Sequence, residues 1–141
     1  MINLPIFRAK KINSDEYVSG YLKFTKYNNR TEYIINYVYD SSSVFGECEI
    51  DQTTLAIHFP DMIDSQGNKI FASLSKDGKG GDILKGQVYG ISKGKVWDMV
   101  AEYKDTSIWL TRYINNNPLI SMPLVYQKNG YRDMKVIGIQ E

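Results

Sequence analysis

Thr31-Glu32-Tyr33-Ile34-Ile35-Asn36-Tyr37-Val38-Tyr39 is β-branched or aromatic at all but Glu32 and Asn36. Such a run suits a pleated, half-buried surface and reads as a strand. Ahead of it, Val18, Gly20, Leu22 and Phe24 alternate with Ser19, Lys23 and Thr25, and Asn28-Asn29 supplies a turn. The two runs therefore predict a hairpin. Downstream, Val44, Gly46, Cys48 and Ile50 alternate with Phe45, Glu47, Glu49 and Asp51, which puts Cys48 on an apolar face. Period-two patterning recurs along nearly the whole chain, and the spacing of a helical face is hard to find. The fold class read from this is mostly β.

Two turn-rich stretches interrupt the pattern, Asp64-Ser65-Gln66-Gly67-Asn68-Lys69 and Asp77-Gly78-Lys79-Gly80-Gly81. They suggest an organisational boundary near residues 75–82. A β-rich N-terminal lobe is expected over 1–75 and a small barrel over 76–141, unless the two share one structural unit. In the second part Trp97, Met99, Ala101 and Tyr103 alternate with Val96, Asp98, Val100 and Glu102, and Ile108–Ile114 runs back. Asn115-Asn116-Asn117-Pro118 is expected to break that strand, because proline cannot donate to a ladder. A last hairpin is expected between 123–127 and 134–139, around Asn129-Gly130. Closing these short strands into a barrel would remove exposed edges.

The whole chain has 141 residues and a formal net charge of +1, which suits one domain with a sizeable core. The near-zero charge gives no general argument for binding nucleic acid or anionic membranes. One cysteine excludes an intrachain disulfide, and one histidine excludes the usual Cys/His zinc site. Neither a signal peptide nor a membrane span is legible, so a soluble protein of a reducing compartment is expected.

The central residues Asp64-Ser65-Gln66-Gly67-Asn68-Lys69-Ile70-Phe71, followed by Gly81-Asp82-Ile83-Leu84, resemble the D-x-x-G-x-x-I-[YF]…G-D-I-V core of the YopX family. Ile6-Phe7-Arg8-Ala9-Lys10 with Val18-Ser19-Gly20-Tyr21 is similar to that family's opening, and Val136-Ile137-Gly138 to its close. These are small proteins of phages, prophages and other mobile elements of bacteria. The resemblance implies an SH3-like barrel in the C-terminal half, a bacterial cytoplasmic setting and no particular activity. Here the stretch Ala72–Gly80 separates two motifs that are nearly contiguous in shorter members, and the chain after Gly138 is shorter than the family's tail.

No catalytic constellation, cofactor or metal site is legible. Cys48 lies in phase with Val44 and Ile50 and among carboxylates that oppose thiolate formation, so it is expected to be structural. His58 falls off the Leu55/Ile57/Phe59 face, so a surface or interface position is expected. Asp61 and Asp64 read as turn formers, without the closing acid of a calcium loop. Asp82 is expected to fix the start of the barrel in the same way. Gly78-Lys79-Gly80-Gly81 has neither the spacing nor the helix of a phosphate cradle and reads as a flexible loop.

Tyr33, Tyr37 and Tyr39 share a strand face with Ile35. Such a face stacks single-stranded bases, supplies protein-interface area, or is ordinary strand composition. From Asp40 to Asn68 there are six acids and no lysine or arginine, and from Lys69 to Lys95 six lysines against Asp77 and Asp82. Placed on different faces, these segments favour self-association. The expected function is a non-enzymatic, self-associating protein or a binder of an unknown host or phage protein. Its homo-oligomer interface is expected to include the 31–40 strand or the 76–95 segment. The alternative is a nucleic-acid module using the tyrosine face, with Lys76, Lys79, Lys85, Lys93 and Lys95 tracking phosphates.

Overall fold

In the computed structural model, which describes residues 4–39, 44–88, 93–124 and 131–141, the quoted stretch is a strand of a long hairpin. The strands in chain order are β1 (Ile6–Lys10), β2 (Tyr17–Lys26), β3 (Thr31–Tyr39), β4 (Val44–Glu49), β5 (Ala56–His58) and β6 (Ala72–Ser73). They continue with β7 (Asp82–Val88), β8 (Trp97–Lys104), β9 (Ser107–Ile114), β10 (Asn117–Pro123) and β11 (Tyr131–Ile139). A single 3-10 turn, Gln52–Thr54, is capped by the Asp51 carboxylate, which accepts from Thr53 N. The protein is mostly β.

The strands form one mixed sheet, running β4-β3-β2-β1-β5-β6-β8-β9-β10. The sheet branches at β8. Val100 pairs with Thr111 of β9 on one side and Ile83 of β7 on the other, and Glu102 pairs with Trp109 and with Ser73 of β6. One edge of β8 is thus shared by β7 and the short parallel β6, and β11 lies beyond β7.

The expected barrel strands are present as an antiparallel set, β11-β7-β8-β9-β10, but among the described residues no hydrogen-bonded pairing closes them. Two features explain the open ends. β10 carries Pro118 and Pro123, which cannot donate to a neighbour. Beside β11, the 64–65 turn takes polar groups of that strand: Ser65 N and Oγ donate to Met134 O, and Val136 N donates to Asp64 Oδ2 at 2.9 Å.

Asn115 and Asn116 do not break the strand region. Both have positive φ (51° and 63°), so they form a tight two-residue turn that returns the chain as β10, with Pro118 tolerated on an edge. The expected partner for 134–139 was 123–127. β11 pairs with β7, and the expected 123–127 strand lies mostly outside the described residues.

Two apolar clusters fill the interior. The larger joins Ile57, Met62, Ile70 and Ala72 with Leu84, Met99, Ala101, Leu110, Met122 and Met134, and so draws on both sides of residue 75. The smaller contains Ala9, Val18, Ile35, Ile50 and Leu55, with Leu22, Tyr33 and Cys48 packed against it. Val18 and Leu22 from the first alternating face and Cys48 and Ile50 from the other feed this second cluster, whereas Phe24 is exposed.

The loop at 75–81 is not the flexible link expected from its glycines. Gly78, Gly80 and Gly81 are buried. Gly80 N donates to Gln140 O, Gly81 N to Gly78 O, and Ser73 Oγ to Lys79 O at 2.7 Å. Gly80 has φ +85°, and a Cβ there would lie inside the Thr54 carbonyl. These glycines serve close backbone approach.

Candidate functional site

Arg8 is the centre of a buried polar network. It sits in β1 between Ala56 of β5 and Ser19 of β2. Its Nη1 lies 2.8 Å from Asp82 Oδ1, and its Nη2 donates to Gly80 O at 2.8 Å. The guanidinium stacks 4.5 Å from the centre of the Phe71 ring and faces Tyr17 at 5.6 Å. Asp82 is 1% exposed, and its second oxygen accepts Phe71 N at 2.8 Å. Its Oδ1 makes the ion pair without an aligned hydrogen bond. Burial pushes the Asp82 carboxyl above its ordinary range, against the opposing pull of Arg8 and the Phe71 amide.

His58 belongs to the same region and is buried, contrary to the surface or interface position expected for it. The reason is topological: β5 is only three residues long and lies between β1 and β6. His58 Nδ1 is 3.0 Å from Ile70 O, and its ring centre is 5.4 Å from that of Phe71.

Asp64 is a turn former, as expected, but it also fastens a distant strand. One oxygen accepts Gln66 N and Asn68 N; the other accepts Asn68 Nδ2 and Val136 N. Burial raises its carboxyl, but those hydrogen bonds outweigh burial and hold it below the ordinary range. A further buried carboxylate, Glu102, accepts Tyr113 Oη at 2.7 Å. Burial first, then Glu102, raises the Tyr113 hydroxyl far above its usual value. Glu102 was legible only as one position of an alternating face; Val100, buried in the same phase, marks where this face is covered.

These polar groups are engaged with the protein interior. With Asp82 1% exposed and the Arg8 side chain 13% exposed, the pair offers a substrate little access. Among the described residues no three of His, Cys, Asp and Glu gather to hold a metal ion.

Of the tyrosine face, Tyr33 has a described side chain. Tyr33 is half-buried against the second cluster and 6.4 Å from the Phe24 ring. Tyr37 and Tyr39 lie in β3 opposite Gly46 and Val44, and their side chains are outside the described residues. The five lysines are not brought together. Lys76 and Lys79 precede β7, Lys85 lies within it, and Lys93 and Lys95 follow it. Seven residues of strand, about 20 Å, separate the two ends. Cys48 is half-buried, and burial raises its thiol pKa.

The accessible apolar surface that stands out is on the β2–β3 hairpin. β1 pairs with β2 only from Tyr17 to Gly20, whereas β2 pairs with β3 as far as Lys26. The hairpin is flanked by β4 as far as Ile34, opposite Lys23, and only its outer end, from Phe24 to Tyr33, is two-stranded. Tyr21, Phe24 and Tyr27 on the hairpin are 55%, 60% and 51% exposed. Arg30 lies over the Tyr27 ring at 5.1 Å, and Tyr27 Oη donates to Glu32.

No protein-family model, curated protein or solved structure matches the chain. Among the described residues no helix is long and apolar enough to cross a membrane.

Proposed function

We propose that this is a YopX-like protein of a bacterial mobile element that works in the cytoplasm without catalysis, by binding a second copy of itself or another protein. The observation that carries this reading is the β2–β3 hairpin with Tyr21, Phe24 and Tyr27 exposed. Exposed aromatics supply large contact area with few rotatable bonds to order. The interlocking of the motif residues supports the non-catalytic part: Arg8 meets Asp82, Asp82 meets Phe71, and Asp64 meets Val136. Charged residues that draw the eye in the sequence are thereby used to hold the fold.

The nucleic-acid alternative is less well supported, because the lysines do not cluster: two precede β7, Lys85 lies within it and two follow it. The test compares wild type with a Tyr21→Ser/Tyr27→Ser variant. Solution mass over a concentration series and capture of partners from bacterial lysate are measured beside oligonucleotide titrations over salt. Hairpin-dependent association is expected. Oligonucleotide binding that weakens steeply with salt, together with no hairpin-dependent association, would overturn the reading.

A further inference from the structure

Backbone hydrogen bonding along β2 has a definite parity. Tyr27 N donates to Arg30 O, so the odd-numbered residues of β2 turn their N–H and C=O towards β3. Lys11 N donates to Glu16 O, so the even-numbered residues turn theirs towards β1. Pairing with β1 ends at Gly20. Beyond that point Leu22, Phe24 and Lys26 direct their backbone groups out of an edge to which no described strand is paired. Of the other edges, β10 has its prolines, β11 is partly covered by Asp64 and Ser65, and β4 is met by Ile12 N at Glu49 O.

We infer that this edge pairs with the same edge of a second copy, antiparallel about a two-fold axis with Phe24 opposite Phe24 of the second copy. The inference rests on the binding reading proposed above and names the partner. This register sets Leu22 against Lys26 and Lys23 against Thr25, so every outward N–H and C=O from Leu22 to Lys26 gains a partner. Sliding by two residues in one direction sets Lys23 opposite Lys23 and leaves the Lys26 groups unpaired. Sliding in the other direction sets Phe24 against Lys26 and leaves the Leu22 groups unpaired.

Charge complementarity favours the same register. Glu32 stands beside Thr25 on β3, and Thr25 faces Lys23 of the second copy. Each Lys23 is thus set two strands from a Glu32 of the other chain. A lysine spans that distance, because within the chain Lys23 on β2 reaches Glu47 on β4 at 2.6 Å. On the opposite face the two Phe24 rings meet, each with its own Tyr33 alongside.

The interface is small and belongs at the weak end of protein association, so it is sought at about 0.5 mM protein. Sedimentation should give twice the monomer mass for wild type at that concentration. Phe24→Lys, which puts like charges on the axis at a 60% exposed position, should weaken association about tenfold or more with the β signature unchanged. Phe24→Cys in a Cys48→Ser background should form an intermolecular disulfide on mild oxidation, since Cα atoms of a hydrogen-bonded pair stand about 5.5 Å apart. Lys23→Cys, offset by two residues from its counterpart, should not. A wild-type monomer at about 0.5 mM, or equal cross-linking of the two cysteine variants, would overturn the inference. Association that is undiminished in Phe24→Lys would also overturn it, while leaving binding through another surface intact.

Discussion

Arg8 Nη1 and Asp82 Oδ1 lie 2.8 Å apart, and this contact joins the first strand of the sheet to the strand that opens the second half of the chain. A buried carboxylate without its cation is costly. Arg8→Met is expected to destabilise the protein by about 3–5 kcal/mol in urea unfolding, the range for breaking one side of a buried pair. Arg8→Lys should recover only part of that, since an ammonium cannot both stack on Phe71 and reach Gly80 O. Equal stabilities of wild type and Arg8→Met would remove the pair from the account of the fold.

The two buried aspartates should respond to pH with opposite signs. Asp64, held below 3.8 by its hydrogen bonds, contributes stability that is present above that value and is lost as pH falls through its folded pKa. Asp82, raised above 3.8 by burial, contributes stability that is greatest below 3.8 and fades as pH rises through its folded pKa. Carboxyl-detected NMR titration should show Asp82 protonating at higher pH than Asp64. Asp64→Asn should cost about 2–3 kcal/mol at neutral pH, because charged hydrogen bonds to backbone amides are lost. Its acid-unfolding slope should be shallower than that of wild type.

Gly80 and Gly67 both have positive φ, but only Gly80 abuts another backbone. Gly67→Ala meets open space and should cost about 1–2 kcal/mol from conformation alone. Gly80→Ala adds a clash with Thr54 O and should lose about 3 kcal/mol or more, with a matching drop in Tm. Similar costs at the two positions would contradict the packed loop.

Trypsin gives a local readout of the same loop. Lys79 is half-buried, and its carbonyl is held by Ser73 Oγ, whereas Lys26 and Arg30 flank an exposed hairpin tip. Cleavage after Lys26 or Arg30 is expected before cleavage after Lys79. Mass spectrometry of early fragments distinguishes the two orders.

Cys48 should react slowly with a thiol reagent in the native protein and rapidly after denaturation, because it packs against the second cluster and burial raises its thiol pKa. Fast native labelling at neutral pH would contradict that packing.

Alternation made the strands legible wherever one face is buried, as in 18–24 and 44–50, because a half-buried strand writes its burial at every second residue. Neighbour relations left no such trace. β6 is two residues long and pairs in parallel with Glu102, and nothing in Ala72-Ser73 announces that partner. His58 was misjudged for a related reason: a three-residue strand covered on both sides has no polar face to display. The glycines of 78–81 were read through conformational freedom alone, when close contacts with Thr54 and Ala101 also require them. The Arg8–Asp82 contact was not legible either; its two motifs were visible only as separate resemblances.

The shared edge of β8 bears on how the chain acquires its shape during synthesis. β6 waits for Glu102, the larger cluster waits for Met134, and Gly80 waits for Gln140. A chain emerging N-terminus first from a ribosome therefore presents β1 and β5 long before their charges and apolar faces can be covered. Pairings of such long sequence separation close slowly. The first half therefore finishes its packing only after β11 and Gln140 have been made.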